Sequence, residues 1–384
     1  MEKKQIVTPW VVKGNVDYDK LINDFGVKKI DSKLLERIEK HAKVKGEKLH
    51  RFLRRNIFFA HRDLEFILDE FDKGNKFFLY TGRAPSGKTH IGHIVPWMFT
   101  KWLQDIFDVE LWFQFPDEEK FLFKKKLSYQ DVQKALEENM LDVIAVGFNN
   151  KKTKFLIDTR HANLMFKEAI KVSKHITLST AKGIFGFTND TNIGAIFYTS
   201  MQAVPAFLPS ILENKNIPCL IPYAIDQDPH FRASRDVIPK LGYYKPASIE
   251  GIFLPGLKGM ESDGKMSSSD LDNSTIYVSD DPETVKRKIN KYAYSGGQPT
   301  IEEHRRLGGN PDIDVSYQWL RFFEEDDEKL KEIYNDYKKG KLLSGEIKKL
   351  AIESINTYLK ELQKRREDSS KLLPKFLEWY EAYR

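Results

Sequence analysis

A single cysteine, Cys219, stands among 384 residues, so no internal disulfide can form and no cysteine-built zinc cluster is available. That excludes the disulfide-stapled secreted scaffolds and leads us to expect a reducing, cytoplasmic setting. Long apolar runs are missing too: none approaches the ~18 residues of a bilayer-crossing helix. Met1-Glu2-Lys3-Lys4-Gln5 opens directly into polar sequence without an apolar leader. The expectation is a soluble, unprocessed protein with no membrane partner. Internal repeats and low-complexity tracts are absent, which excludes solenoids and disordered tails. Charge of one sign is not in large excess, since 62 Lys and Arg face 56 Asp and Glu for a net +6. No DNA partner is expected from so modest a balance. What the chain does have is 41% hydrophobic and 31% charged residues, enough for two packed globular domains.

Along the chain, Lys76-Phe77-Phe78-Leu79-Tyr80 reads as a strand, followed by a Gly/Pro/Ser loop through Gly87 and a helical pattern from about His90 to Phe107. Further strands are expected at Glu110–Phe115, Lys154–Asp158 and Cys219–Ile225, separated by helical segments. Alternating strands and helices predict an α/β fold: a Rossmann-like doubly wound parallel sheet, with ligands at the carboxyl ends of its strands. After Thr275 the pattern turns helical. Asp280 or Asp281 can cap a helix there, with Pro282 at its first position. The expected domains are an N-terminal extension (1–75) packing on the catalytic domain, the catalytic domain itself (76–279), and a C-terminal all-helical domain (280–384). A helix is predicted near Asp31 to Gly46.

Gly82-Arg83-Ala84-Pro85-Ser86-Gly87-Lys88-Thr89 satisfies the P-loop pattern GxxxxGK[ST] after a strand and before a helix, with Asp226 as a strand-end carboxylate for magnesium. The next four residues compete with that reading. His90-Ile91-Gly92-His93 is the HIGH tetrapeptide, expected by chance in only about a few per thousand chains of this size. At a helix start two imidazoles can donate to phosphate oxygens, and a glycine lets a nucleotide approach the backbone. Well downstream, Lys265-Met266-Ser267-Ser268-Ser269 is a variant of the KMSKS loop, in which Ser268 replaces the usual second lysine. A mobile cation and hydroxyls there suit a pyrophosphate leaving group. A P-loop kinase has no use for that second motif.

With HIGH, the KMSKS variant and the block Ala224-Ile225-Asp226-Gln227-Asp228-Pro229-His230-Phe231-Arg232 in order, the chain resembles the tryptophanyl-tRNA synthetases of the eukaryotic cytosolic type. The resemblance runs from about Pro9 to the last helices, and Phe52–Arg55, Lys182–Phe187, Ser295–Gly297 and Thr300–Arg305 also match. It implies a class I ligase using ATP and Mg²⁺ to join L-tryptophan to tRNA(Trp), working as a homodimer with the helical domain receiving the anticodon. It implies His90, His93 and Lys265 as catalytic residues. For ATP it implies Gly82, Arg83, Pro85, His90, Gly92, His93, Lys265, Met266, Ser267 and Ser269. For tryptophan it implies Tyr80 and Gln114 at the indole N–H, and Glu119, Gln202 and Gln227 around the amino-acid backbone; no resident metal is implied. An indole offers one donor on a large apolar body, so acceptors at one point and apolar walls elsewhere would select it. Pro116 departs from the Thr or Ser common in the family, and Lys88 has no family role. The basic residues near Lys364 and the aromatics near Trp379 are compatible with RNA binding, and Trp10 lies in a segment that folds toward the ATP site in eukaryotic members.

Overall fold

The computed structural model describes residues 6–7, 12–13, 22, 26–259 and 274–383. Lys265, Met266, Ser267 and Ser269, and likewise Pro9 to Val11, lie outside the described residues. Strand β1 (Ile6–Val7) pairs antiparallel with β2 (Val12–Lys13). The remaining strands are β3 (Lys28–Lys29), β4 (Phe58–Arg62), β5 (Phe78–Gly82), β6 (Glu110–Phe115), β7 (Thr153–Ile157), β8 (Cys219–Ala224) and β9 (Ala247–Gly251). They form one seven-stranded sheet in the order β3-β4-β9-β8-β5-β6-β7. The run from β9 to β7 is parallel, while β4 is antiparallel to both its neighbours.

Near-continuous apolar strands follow from burial on both faces. Side chains alternate along each strand, so Leu79, Leu111, Phe113 and Phe155 meet Ile94 and Trp97 on one side. Phe78, Tyr80, Trp112 and Leu156 meet Met165, Val172 and Tyr198 on the other. The helix Ile91–Phe107 carries β5 to β6 and Tyr129–Ala145 carries β6 toward β7, whereas β8 returns to the opposite side of β5. Strand order therefore reverses between β5 and β8, and a crevice opens there at the carboxyl edge.

The N-terminal extension does more than pack on the sheet. Its β3 and β4 extend the sheet beyond β9, and its short helix Arg51–Arg54 reaches the helical part. Arg55 donates to the carbonyls of Arg321 and Glu324 at 2.8 and 2.7 Å, and Arg51 to that of Phe322 at 2.7 Å. These carbonyls end the helix Val315–Phe323, where cations are favoured. The predicted helix after Asp31 spans Ser32–Val44, capped by the Asp31 carboxylate. Strand β9 escapes sequence reading because Ala-Ser-Ile-Glu-Gly has no apolar run, although all five residues are buried.

The helical part begins at Pro282–Tyr292, with Asp281 accepting from the Thr284 N–H. Its own core joins Tyr317, Leu320, Leu330, Ile333, Tyr337 and Ile347. The last residues also make contacts within the chain. Arg365 Nε donates to the Ala145 carbonyl at 2.7 Å and Arg366 Nε to Asp142 at 2.6 Å, both on the helix Tyr129–Ala145 of the α/β part. Phe376 packs against Phe155 with centroids 4.7 Å apart, and Trp379 meets Trp112 edge-on at 4.8 Å while donating to the Phe155 carbonyl at 3.2 Å. These aromatics cover the sheet because an exposed face of β6 and β7 would leave large apolar rings in water.

Candidate active site

At the switch point lies a cavity of about 420 Å³. Tyr80 and Gly82 reach it from β5, Gln114 from β6, and Arg83, His90, Gly92 and His93 from the loop and helix start that follow β5. Glu119, Gln202 and Gln227 complete its wall from three separate segments. Pro85 does not line it; this residue is buried within the loop.

One end of the cavity is a directed chain of hydrogen bonds among buried aromatics. Gln202 Nε2 donates to the Tyr80 hydroxyl at 2.9 Å, the hydroxyl donates to Gln114 Oε1 at 2.5 Å, and Gln114 Nε2 donates to Asp158 Oδ2 at 2.8 Å. Each oxygen in this chain retains acceptor capacity. Tyr80 is only 1% exposed, and burial beside the Asp158 carboxyl pushes its hydroxyl well above the ordinary phenol range, so it stays neutral. Glu119 is held by Lys120 Nζ at 2.6 Å and by the Tyr198 hydroxyl at 3.1 Å, and Tyr198 also bonds Gln202. Gln227 Nε2 donates to Asp226 at 3.0 Å.

The other end is the histidine pair. His90 is extended (φ −99°, ψ 160°) and precedes the helix Ile91–Phe107; its N–H donates to His93 Nδ1 at 3.3 Å, and the two rings stack at 3.6 Å. With Nδ1 accepting, a neutral His93 carries its proton on Nε2. Burial, aided by the nearby Arg83 guanidinium, holds His93 well below the usual imidazole range. It therefore offers a neutral donor to a phosphate oxygen. The segment after residue 273 is tied to this helix start: Ile91 N donates to the Ile276 carbonyl at 3.0 Å and Val278 N to the Thr89 carbonyl at 2.9 Å.

The glycine loop is not folded as a phosphate cradle. Its carbonyls turn inward, Gly87 to Asn139 Nδ2 at 3.0 Å and Ser86 and Lys88 to Arg83 Nη2 at 3.4 Å. A cradle requires inward N–H groups and a helix beginning at the lysine, whereas this helix begins at Ile91. Lys88 is exposed, its ammonium 5.9 Å from the Tyr277 ring centroid. Arg83 braces the loop and donates to Asn139 Oδ1 at 2.7 Å, and burial brings its guanidinium down to about 10, still protonated at neutral pH. Gly82 is required where β5 meets β6, since a Cβ there would stand 2.8 Å from the Gln114 carbonyl.

Sequence reasoning missed Tyr198, Asp158, Lys120 and His230. Asp158 ends a strand that was recognised, and an acid at a carboxyl strand end was a usable signal. Tyr198 gave none, because only the packing of the helix Ile193–Met201 brings its hydroxyl to Glu119. His230 lies in the matched block; burial lowers it to about 4, leaving a neutral ring in the cavity wall.

A strand reversal beneath a His-x-Gly-His helix start is what a class I aminoacyl-tRNA synthetase needs to hold ATP beside an amino acid. Comparison with known proteins agrees, as residues 72–360 match the model of the tRNA synthetases class I (W and Y). The tryptophan–tRNA ligase of Sulfurisphaera tokodaii is 50% identical over 371 residues, covering 96% of this chain and 94% of that one. The cytoplasmic tryptophan–tRNA ligase of Saccharomyces cerevisiae is 48% identical over 98% of this chain and 89% of its own. The solved tryptophanyl-tRNA synthetase of Plasmodium falciparum gives a TM-score of 0.87 at 42% identity, covering 94% of this chain and 97% of that one. The chain belongs to the tryptophan–tRNA ligase family.

Proposed function

We propose that the chain activates L-tryptophan with Mg-ATP, forming tryptophanyl-adenylate and pyrophosphate, and transfers the tryptophanyl group to a ribose hydroxyl of tRNA(Trp). The carboxylate is already a nucleophile at neutral pH, so activation needs alignment and phosphate stabilisation, with no general base. His93 Nε2–H, His90 and the Lys265 ammonium are the groups assigned to the phosphates, and magnesium enters with ATP as part of the substrate. The Gln202–Tyr80–Gln114 chain carries this reading: it presents acceptor oxygens inside an aromatic-walled cavity that ends beside the histidine pair. That suits an indole N–H. Glu119 and Gln227 are assigned to the amino acid's ammonium and carboxylate ends, with Lys120 compensating Glu119 when the site is empty.

The helical part is assigned to the anticodon end of tRNA. Homodimerisation is supported by an apolar face outside the cavity, where Phe166 and Ile170 on Ala162–Ser173 are 55% and 49% exposed and Ile193 is 84% exposed. A cytoplasmic location accords with the yeast relative's name. No helix among the described residues is long and apolar enough to cross a membrane. Exchange of labelled pyrophosphate into ATP tests the function: it should require tryptophan, and exchange driven better by tyrosine, or by no amino acid, overturns it.

A further inference from the structure

Behind the cavity wall stand two acids that the activation chemistry leaves unused. Asp158 follows β7 directly and is 1% exposed; its Oδ2 accepts from Gln114 Nε2 at 2.8 Å. Asp158 Oδ1 and both Glu118 oxygens are buried without a donor from any other side chain, and the two carboxyls lie within hydrogen-bonding reach of each other. Such a contact is attractive only when the pair holds a proton. Burial is the main cause at both acids: it raises Glu118 to about 7, with the Asp117 and Glu119 charges adding to it, and it raises Asp158 well above its ordinary value, with the Glu118 and Asp117 charges adding to it, in keeping with a proton shared across the contact. With Oδ2 engaged by Gln114, that proton lies between Oδ1 and Glu118.

Resting on the function proposed above, we propose that Asp158 is a positioning residue for amino-acid selection: its Oδ2 fixes the Gln114 amide with the carbonyl toward Tyr80 and the cavity. The two ends of a glutamine amide have nearly the same shape and opposite hydrogen-bonding sense. Inverted, Gln114 would aim an N–H at the cavity, where the ring N–H of the substrate also arrives, and two donors would face each other. The upstream bonds alone do not prevent this, because the Tyr80 hydroxyl can rotate its proton to the Gln202 carbonyl 3.4 Å away. Asp158 does prevent it. An oxygen that carries no proton can only accept, and Glu118 keeps the shared proton on the far side.

The test compares tryptophan with its analogue bearing sulfur in place of the ring N–H, by kcat/KM in pyrophosphate exchange. In Asp158→Ala the preference for tryptophan should fall about tenfold or more, as expected when a buried donor loses its fixed acceptor. In Asp158→Asn, whose Oδ1 still accepts from Gln114 while its amide donates to Glu118, the preference should stay within about twofold of the unmodified enzyme. KM for ATP should be unchanged in both. An unchanged preference in a folded alanine variant overturns the proposal, and so does a loss in the asparagine variant. Should the alanine variant fail to fold, Asp158→Leu replaces it; should both fail, the asparagine result alone decides. Failure of the functional reading itself would show differently, as exchange by the unmodified enzyme that does not depend on tryptophan.

Discussion

Replacing Tyr80 by Phe removes one oxygen from a core position without changing the ring that packs on Phe231 at 6.0 Å. Two hydrogen bonds are lost together: Gln202 Nε2 loses its acceptor and Gln114 Oε1 loses its donor. In the empty protein, water in the cavity can reach these groups, so stability should fall by only about 1–2 kcal/mol, or roughly 1 kcal/mol per bond. With tryptophan bound that water is displaced. The indole N–H still finds Gln114 Oε1, but the Gln202 amide is then buried without an acceptor, at a cost of about 1–3 kcal/mol. Tryptophan affinity should therefore drop roughly 5- to 150-fold. Because the contact is equally present in ground and transition states, kcat should change little while KM for tryptophan rises and KM for ATP does not. Equilibrium binding of tryptophan and pyrophosphate-exchange kinetics measure both quantities. An unchanged KM for tryptophan, with the variant folded, would refute the assignment of the Tyr80–Gln114 end to the indole.

Single-turnover adenylate formation should fall by about a hundredfold or more in Lys265→Ala, an effect of about 3–4 kcal/mol by analogy with a lost oxyanion donor. Lys88→Ala should leave it nearly intact, since that ammonium lies out over Tyr277; the opposite ranking would restore the P-loop reading. Glu250 is wholly buried, accepts from Tyr223 and Ser248, and burial raises it from 4.5 to about 7. The folded state therefore binds this proton more tightly than the unfolded state, and stability falls as pH rises between those values, by up to about 1.4 kcal/mol per unit. Thermal melts of Glu250→Gln should show a flatter loss from pH 5 to 7, and a slope equal to that of the parent would contradict the assignment. Deleting residues 280–384 should abolish adenylate formation as well as tRNA charging, because Phe376 and Trp379 would leave β6 and β7 uncovered. A fragment 1–279 with a cooperative melt and full pyrophosphate exchange would show that this cover is dispensable.

Much of the architecture was legible in the residues themselves, because its cause is local. Strand β6 was read at its observed bounds, since Glu110–Phe115 is an apolar run that only a doubly covered strand can bury. The start of the helical part at Pro282 followed from a capping aspartate before a proline, a signal that acts within one turn. The cavity's two ends were legible for the same reason: the HIGH tetrapeptide sits on one helix start, and Tyr80 and Gln114 sit near or at the ends of adjacent strands.

Tertiary structure alone decided the questions in which one local pattern had two possible surroundings. The glycine loop matches a phosphate cradle residue for residue, yet Asn139, some fifty positions away, takes its carbonyl and turns it the other way. Arg365, Arg366 and Trp379 are compatible in composition with an RNA-binding surface, and the return of the last helices to the sheet ties them to Ala145, Asp142 and Trp112. Nothing local in the sequence pairs Glu118 with Asp158; their shared burial, decided by the fold, is what raises both carboxyls. A sequence states which groups are present and how they repeat along the chain; which donor faces which acceptor, and how much water remains between them, is settled by contacts between distant segments.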